Sequence, residues 1–139
     1  MKTVMIFGTF DVVHQGHLHF FQQAKKYGNF LITVVSRDVR AEEIKKKKLL
    51  HTETERKKFL DAIKYIDRTM LGDKYDVYKN IKKIKPDVIV LGYDQVKFTQ
   101  DLKKKLQEFG LSTKIVRAKA YQSKNMKTHK IRKLLEEKF

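Results

Sequence analysis

The stretch Val4-Met5-Ile6-Phe7-Gly8-Thr9-Phe10-Asp11-Val12-Val13-His14-Gln15-Gly16-His17 passes from one hydrophobic period to another, and that change decides the fold. Residues 4–7 are an unbroken apolar run of β-branched, aromatic and long side chains, the pattern of a central strand covered on both faces. Gly8 punctuates the run. From Gly16 onward the apolar positions Leu18, Phe21 and Ala24 recur at helical spacing, with Gly28 placed to cap the helix C-terminus. The stretch therefore reads as a strand, a loop and the start of a helix.

A helix N-terminus presents unpaired backbone N–H groups and the positive end of the peptide dipole, which makes it a ready anion site. His14 and His17 stand one turn apart across that entrance, so both rings can face one point and donate hydrogen bonds to phosphate oxygens. Gly16 between them leaves room for close approach of a ligand to the backbone. Adding His19 gives an alternative reading as a metal site. His17 and His19 are two positions apart and do not share a helix face, and the chain has no cysteine to complete a zinc site.

With 139 residues the chain is expected to form one domain. It has no apolar run of about 18 residues that could span a bilayer and no signal-peptide pattern at its start. It reads as a cytoplasmic protein with no membrane partner. Lys and Arg outnumber Asp and Glu by 32 to 16, and the net charge of +16 points to anionic partners without choosing among them. Lys25-Lys26, Lys82-Lys83 and Lys103-Lys104-Lys105 fall on helical segments, where the simpler reading is a solvated face.

Downstream, residues 30–35 form a second buried strand, followed by a weakly helical segment at 39–44. Lys45-Lys46-Lys47-Lys48 then reads as an exposed loop, either solvated or closing on a phosphate. Thr52 and Glu55 make a capping box that starts a helix with Phe59, Leu60, Ile63 and Ile66 as its buried stripe. Arg56 lies in that helix's first turn, where the dipole disfavours a cation unless an anion is near, so it is a functional candidate. A short strand at 69–72 precedes a helix marked by Val77, Ile81 and Ile84, which Pro86 terminates. A fourth strand runs to Leu91 and exits through Gly92-Tyr93-Asp94-Gln95. Leu102, Leu106 and Phe109 place a helix stopped by Gly110, residues 114–117 a fifth strand, and Thr128 the cap of a last helix.

Strands alternating with helices at this spacing predict an α/β fold: a Rossmann-like, doubly wound, five-stranded parallel sheet with helices on both faces. In strand order 3-2-1-4-5, ligands bind where the order reverses, outside the C-terminal ends of strands one and four. That rule sets residues 8–11 beside residues 92–95.

Gly8-Thr9-Phe10-Asp11 followed by His14-Gln15-Gly16-His17 resembles the signature of the HxGH nucleotidyltransferase superfamily, the cytidylyltransferase-like proteins. The resemblance covers nearly the whole chain. Residues 45–48 with His51 and Arg56 look like the basic loop and following helix of glycerol-3-phosphate cytidylyltransferases. Leu91-Gly92-Tyr93-Asp94-Gln95 looks most like archaeal FAD synthases, which adenylylate FMN. The Arg-Thr-Glu-Gly stretch of the first group is replaced by Gln122-Ser123-Lys124-Asn125, which weakens the glycerol phosphate reading. The cysteine often found near Met126-Lys127-Thr128-His129 in archaeal FAD synthases is missing.

The resemblance implies transfer of a nucleotidyl group from ATP or CTP to a phosphorylated acceptor with release of pyrophosphate and the aid of Mg²⁺. FMN with ATP is favoured, and a small phosphorylated alcohol with CTP is the alternative. It assigns transition-state contacts to His14 and His17 and phosphate contacts to Lys45, Lys47, Lys48 and Arg56. Nucleotide contacts fall to Gly8, Thr9, Phe10, Asp11, Gly16, Gly92, Tyr93, Asp94, Gln95, Lys127, Thr128 and His129. It also implies a homodimer, with no dedicated protein metal site and no nucleic-acid partner. A basic nucleic-acid-binding domain and a nucleotide sensor without turnover are the readings of other classes.

Overall fold

A computed structural model of the chain describes residues 1–45, 48–95 and 100–121, with Arg40 and residues 43–45 described by backbone alone. Strands and helices follow the alternation of hydrophobic period: β1 (Thr3–Gly8), α1 (Gln15–Lys25), β2 (Phe30–Val35), α2 (Asp38–Lys45), α3 (Glu53–Asp61) and β3 (Arg68–Leu71), then α4 (Lys79–Ile84), β4 (Val88–Leu91), α5 (Leu102–Glu108) and β5 (Lys114–Arg117). The five strands form one sheet, paired in parallel throughout, in the order β3-β2-β1-β4-β5. This is the doubly wound order expected from the sequence. The helix expected from Thr128 lies outside the described residues.

Each face of the sheet buries its own apolar layer because successive side chains of a strand point to opposite sides. Val4 and Ile6 of β1 pack with Phe21 and Ala24 of α1 and Leu60 of α3. Met5 joins Ile89 of β4, Ile81 of α4 and Leu102 and Leu106 of α5 on the other face. Among the described residues no helix is long and apolar enough to cross a membrane.

The ladder at the centre of the sheet is uneven. β1 pairs with β2 along its whole length, from Thr3 opposite Phe30 to Gly8 opposite Val35. With β4 it pairs only at Val4–Val88 and Met5–Ile89. Beyond Met5 the two strands part, and their C-terminal ends open a gap where the strand order reverses.

Local signals held in some places and misled in others. Thr52 and Glu55 form the capping box, Thr52 Oγ1 accepting the Glu55 N–H and Glu55 Oε1 accepting the Thr52 N–H. Gly110 adopts a left-handed φ of 68° and ends α5 as expected. The inner face of α3 carries Leu60 and Arg56, however, while Phe59 is 57% exposed. Ile63 and Ile66 follow the helix rather than extend its stripe, and reach the same apolar layer from the connection to β3. Gly28 is not a cap, since α1 closes at Lys26 in right-handed geometry. Its role is close approach: a Cβ there would meet the Lys2 carbonyl oxygen at 2.5 Å and Val4 Cγ2 at 2.7 Å. That carbonyl also accepts the Asn29 N–H at 2.8 Å, so the backbone has little room to yield.

Gly28→Ala should therefore destabilise the fold by about 1–3 kcal/mol through overpacking, read as a lower midpoint of urea denaturation. An unchanged midpoint would show that the Lys2 backbone can move aside.

Candidate active site

The start of α1 is capped by its own histidines. His14, in extended geometry at the N-cap, accepts the Gly16 N–H on Nδ1 at 3.0 Å, and His17 accepts the His14 N–H on its Nδ1 at 3.1 Å. A backbone N–H can only donate, so both Nδ1 atoms are unprotonated acceptors and each neutral ring carries its proton on Nε2. Burial pushes the His14 ring below its ordinary pKa, which favours the neutral form that the cap requires. The two ring centroids are 4.2 Å apart. Gly16 is required by the cap itself, because a Cβ there would lie 2.8 Å from His14 Cε1 and 3.1 Å from its Nδ1.

Phe10 supports this pair from below. It holds a left-handed φ of 53°, unusual for a side chain of its size, and is only 7% exposed. Its ring meets His17 edge-on at 5.6 Å and Phe21 at 5.4 Å, and folds so tightly over Gly8 that a Cβ there would lie 2.6 Å away.

Side chains from other elements hold the remaining backbone of the site. The Asp11 carboxylate accepts the N–H groups of Leu50 and His51, both at 2.9 Å. Burial alone would raise its pKa, but those two donors and the neighbouring His51 ring outweigh burial and hold it below its ordinary value. Arg56 is 1% exposed and binds protein groups: Nη1 donates to the Thr9 carbonyl at 2.8 Å, Nη2 to Asp38 Oδ1 at 2.7 Å and Nε to the His51 carbonyl at 3.3 Å. The phosphate contact expected of Arg56 is therefore corrected. Its charge is buried against Asp38 and two carbonyls, and it ties the β1–α1 loop to the segment following residues 45–48.

Across the gap, the Gln95 amide does what the interrupted ladder cannot. Nε2 donates to the Phe7 carbonyl of β1 at 3.0 Å, while Oε1 accepts the Gly92 N–H just after β4 at 2.7 Å. Arg117 Nη1 donates to the carbonyls of Gly92 and Gln95 at 2.8 and 2.6 Å. Gln95, expected as a nucleotide contact, thus also fastens the two corners together. On the far side, Gln23 of α1 clasps the chain after β5 at both backbone groups of Lys119, with Nε2 on its carbonyl at 3.0 Å and Oε1 on its N–H at 2.9 Å.

Together these walls enclose an open cleft of about 940 Å³ at the C-terminal edge of the sheet. Ligand sites range over roughly 300–1,000 Å³, so the cleft has room for more than one small substrate. Of the residues singled out in the sequence, Gly8, Thr9, Phe10, Asp11, His14, Gly16, His17, Lys48, Gly92, Tyr93, Asp94 and Gln95 line it. Lys45 ends α2 with its side chain outside the described set, and Lys47, Lys127, Thr128 and His129 lie outside the described residues. Val12, Phe20, Leu50, Lys119 and Tyr121 also line the cleft and were not anticipated. His19 stacks near Tyr121 at 5.2 Å and contacts Gln23 instead of joining His14 and His17. Among the described residues no group of three or more His, Cys, Asp or Glu side chains could hold a metal ion.

The chain is similar to known proteins along most of its length. The family model described as cytidylyltransferase-like matches residues 5–134. A protein named FAD synthase from Ferroglobus placidus is 41% identical over 120 residues, covering 86% of this chain and 78% of its own length. Another FAD synthase, from Thermoplasma acidophilum, is 38% identical over 143 residues and is matched along the full length of both chains. The crystal structure of a protein titled lipopolysaccharide core biosynthesis protein, from Thermoplasma volcanium, superposes with a TM-score of 0.82 at 38% identity, covering 88% of this chain and 99% of that one.

Two outcomes follow from the caps and ties. The unfolded chain takes up a proton on His14 near 6.5, which the folded chain resists. The stability contributed by the neutral ring is thus fully present above 6.5 and declines as the pH falls below it. Imidazole NMR titration of the unliganded protein should give His14 a midpoint below 6.5, and a midpoint above it would contradict the cap. Arg56→Met should cost about 2–3 kcal/mol in thermal unfolding, through loss of charge-assisted bonds and the orphaned Thr9 and His51 carbonyls. A change under 0.5 kcal/mol, the range of ordinary surface substitutions, would show that Arg56 is not a structural tie.

Proposed function

The chain belongs to the cytidylyltransferase-like family, and we propose that it is an FMN adenylyltransferase, an enzyme that transfers AMP from ATP to FMN to give FAD and pyrophosphate. The reading of the reaction is carried by the reciprocal histidine cap, which sets two neutral imidazoles with Nε2 protons at the positive end of a helix. The choice of ATP and FMN is supported by relatives named FAD synthase that share 38–42% identity over most of the chain.

In this reaction a phosphate oxygen of FMN attacks the α-phosphorus of ATP in line, a new P–O bond forms, and the bond to the β-phosphate oxygen breaks to release pyrophosphate. Catalysis of this kind depends on position and charge stabilisation more than on covalent chemistry. His14 and His17 donate through Nε2 to the oxygens on which charge develops, and the N-terminus of α1 adds its dipole. Since both rings are neutral and hydrogen-bonded at Nδ1, they act as fixed donors and need no proton transfer. Lys48 neutralises phosphate charge, a role the sequence resemblance gives to Lys45 and Lys47 as well. The polar corner at 92–95 receives the ribose and base, with Asp94 as an acceptor.

Mg²⁺ fits such a site as an ion carried in on the triphosphate. An ion that keeps several waters and binds substrate phosphates would need few protein ligands. Both oxygens of Asp11 are engaged by backbone N–H groups and Asp94 is given to the ribose and base, so the ion would be held by the triphosphate oxygens and water. When bound, the ion would offset charge on the departing pyrophosphate.

Pyrophosphate release should be seen with ATP and FMN. Turnover restricted to CTP with glycerol 3-phosphate or phosphoethanolamine would overturn the acceptor and nucleotide assignment. His17→Ala should lower kcat by about two to three orders of magnitude, as losses of a single transition-state donor do, with the circular dichroism spectrum unchanged. A folded and fully active variant would refute the role given to His17.

A further inference from the structure

The geometry points to Val12 and Leu50 as an apolar shelf that takes the ring system of the acceptor, an inference that rests on the FMN reading above. Single apolar side chains on a surface need no explanation. These two differ because both line the cleft while remaining 47% and 73% exposed. They also come from separate segments that the structure deliberately joins. Asp11, the residue before Val12, binds the backbone N–H of Leu50 itself at 2.9 Å, and Arg56 holds the His51 carbonyl that follows. The shelf is thus pinned at its backbone while its side chains face the open cleft.

The lining of the cleft is of two kinds. Residues 92–95 offer Asp94, Gln95 and backbone groups suited to a hydrogen-bonding base and ribose. Val12 and Leu50, brought together through Asp11, line the same cleft as Lys48, which lies two positions before Leu50 in the chain, so the cleft has an apolar surface as well as a cation. In-line displacement places the attacking phosphate and the departing pyrophosphate on opposite sides of the α-phosphorus, so acceptor and triphosphate approach from different directions. A flavin phosphate matches the shelf: a wide planar ring covers the two aliphatic side chains, and its phosphate meets Lys48. A small phosphorylated alcohol has no surface with which to cover them. The shelf therefore selects for large, flat acceptors and acts on acceptor binding rather than on the chemical step.

The test combines fluorescence titration of FMN in the absence of ATP with steady-state kinetics, for the wild type and the double variant Val12→Ser/Leu50→Ser. Both side chains are exposed, so the variant should retain the wild-type unfolding midpoint. We expect its FMN dissociation constant and FMN KM to rise about tenfold, equivalent to about 1.4 kcal/mol, with the KM for ATP and kcat within twofold. Leu50→Met, which keeps an apolar surface, should restore near-wild-type FMN affinity in the presence of Val12. If the wild type binds and adenylylates FMN and the double variant does so with unchanged affinity, the shelf is refuted and the function stands. If the wild type binds FMN, the double variant binds it weakly and neither turns it over, the function is refuted and the shelf stands. No FMN binding by the wild type refutes both.

Discussion

Two imidazole nitrogens occupied by backbone N–H groups fix the rest of the site. A helix normally begins with a serine, threonine or aspartate accepting from its first turn. Here His14 and His17 do that work for each other and for Gly16, so the groups that terminate the secondary structure are also those that line the cleft. Several other features follow from this. Position 16 has no room for a side chain, Phe10 must turn back through a left-handed conformation to support the His17 ring, and Gly8 must lack a Cβ to admit Phe10. The sequence pattern of glycines and histidines is the imprint of one packing problem.

Around that cap the chain uses long polar side chains as struts. Asp11, Arg56, Gln95 and Gln23 each reach from one element to the backbone of another, and none of these contacts is part of a helix or strand ladder. The cleft is built from loops, which are ordinarily the mobile parts of a fold. Binding their backbone groups to rigid elements converts them into walls, and reduces the ordering that substrate binding must otherwise impose.

The fold was legible because it is written in period. The runs at 4–7, 30–35 and 114–117, the capping box at Thr52 and Glu55 and the stop at Gly110 are local signals, and the parallel order follows from their alternation. His14 and His17 were visible for the same reason, being one turn apart at a helix start. Long-range ties were not. Arg56 was read as awaiting an anionic ligand because its first-turn position invites one, and the anion proved to be Asp38 of its own chain, together with carbonyls at Thr9 and His51. Gly28 reads as a cap because a helix ends nearby, whereas its constraint comes from Lys2, just before β1, and from Val4 within it. Gln23 and Gln95 carry no periodic or compositional mark that would distinguish them from solvent-facing glutamines.

The short pairing between β1 and β4 has a mechanical consequence. With only two ladder pairs between β1 and β4, the junction between β3-β2-β1 and β4-β5 carries fewer backbone bonds than the six-pair ladder of β1 with β2. The Gln95 amide is a rivet near the open end of that junction. A ligand laid from one corner to the other would span this junction at the end where the ladder itself has no bonds.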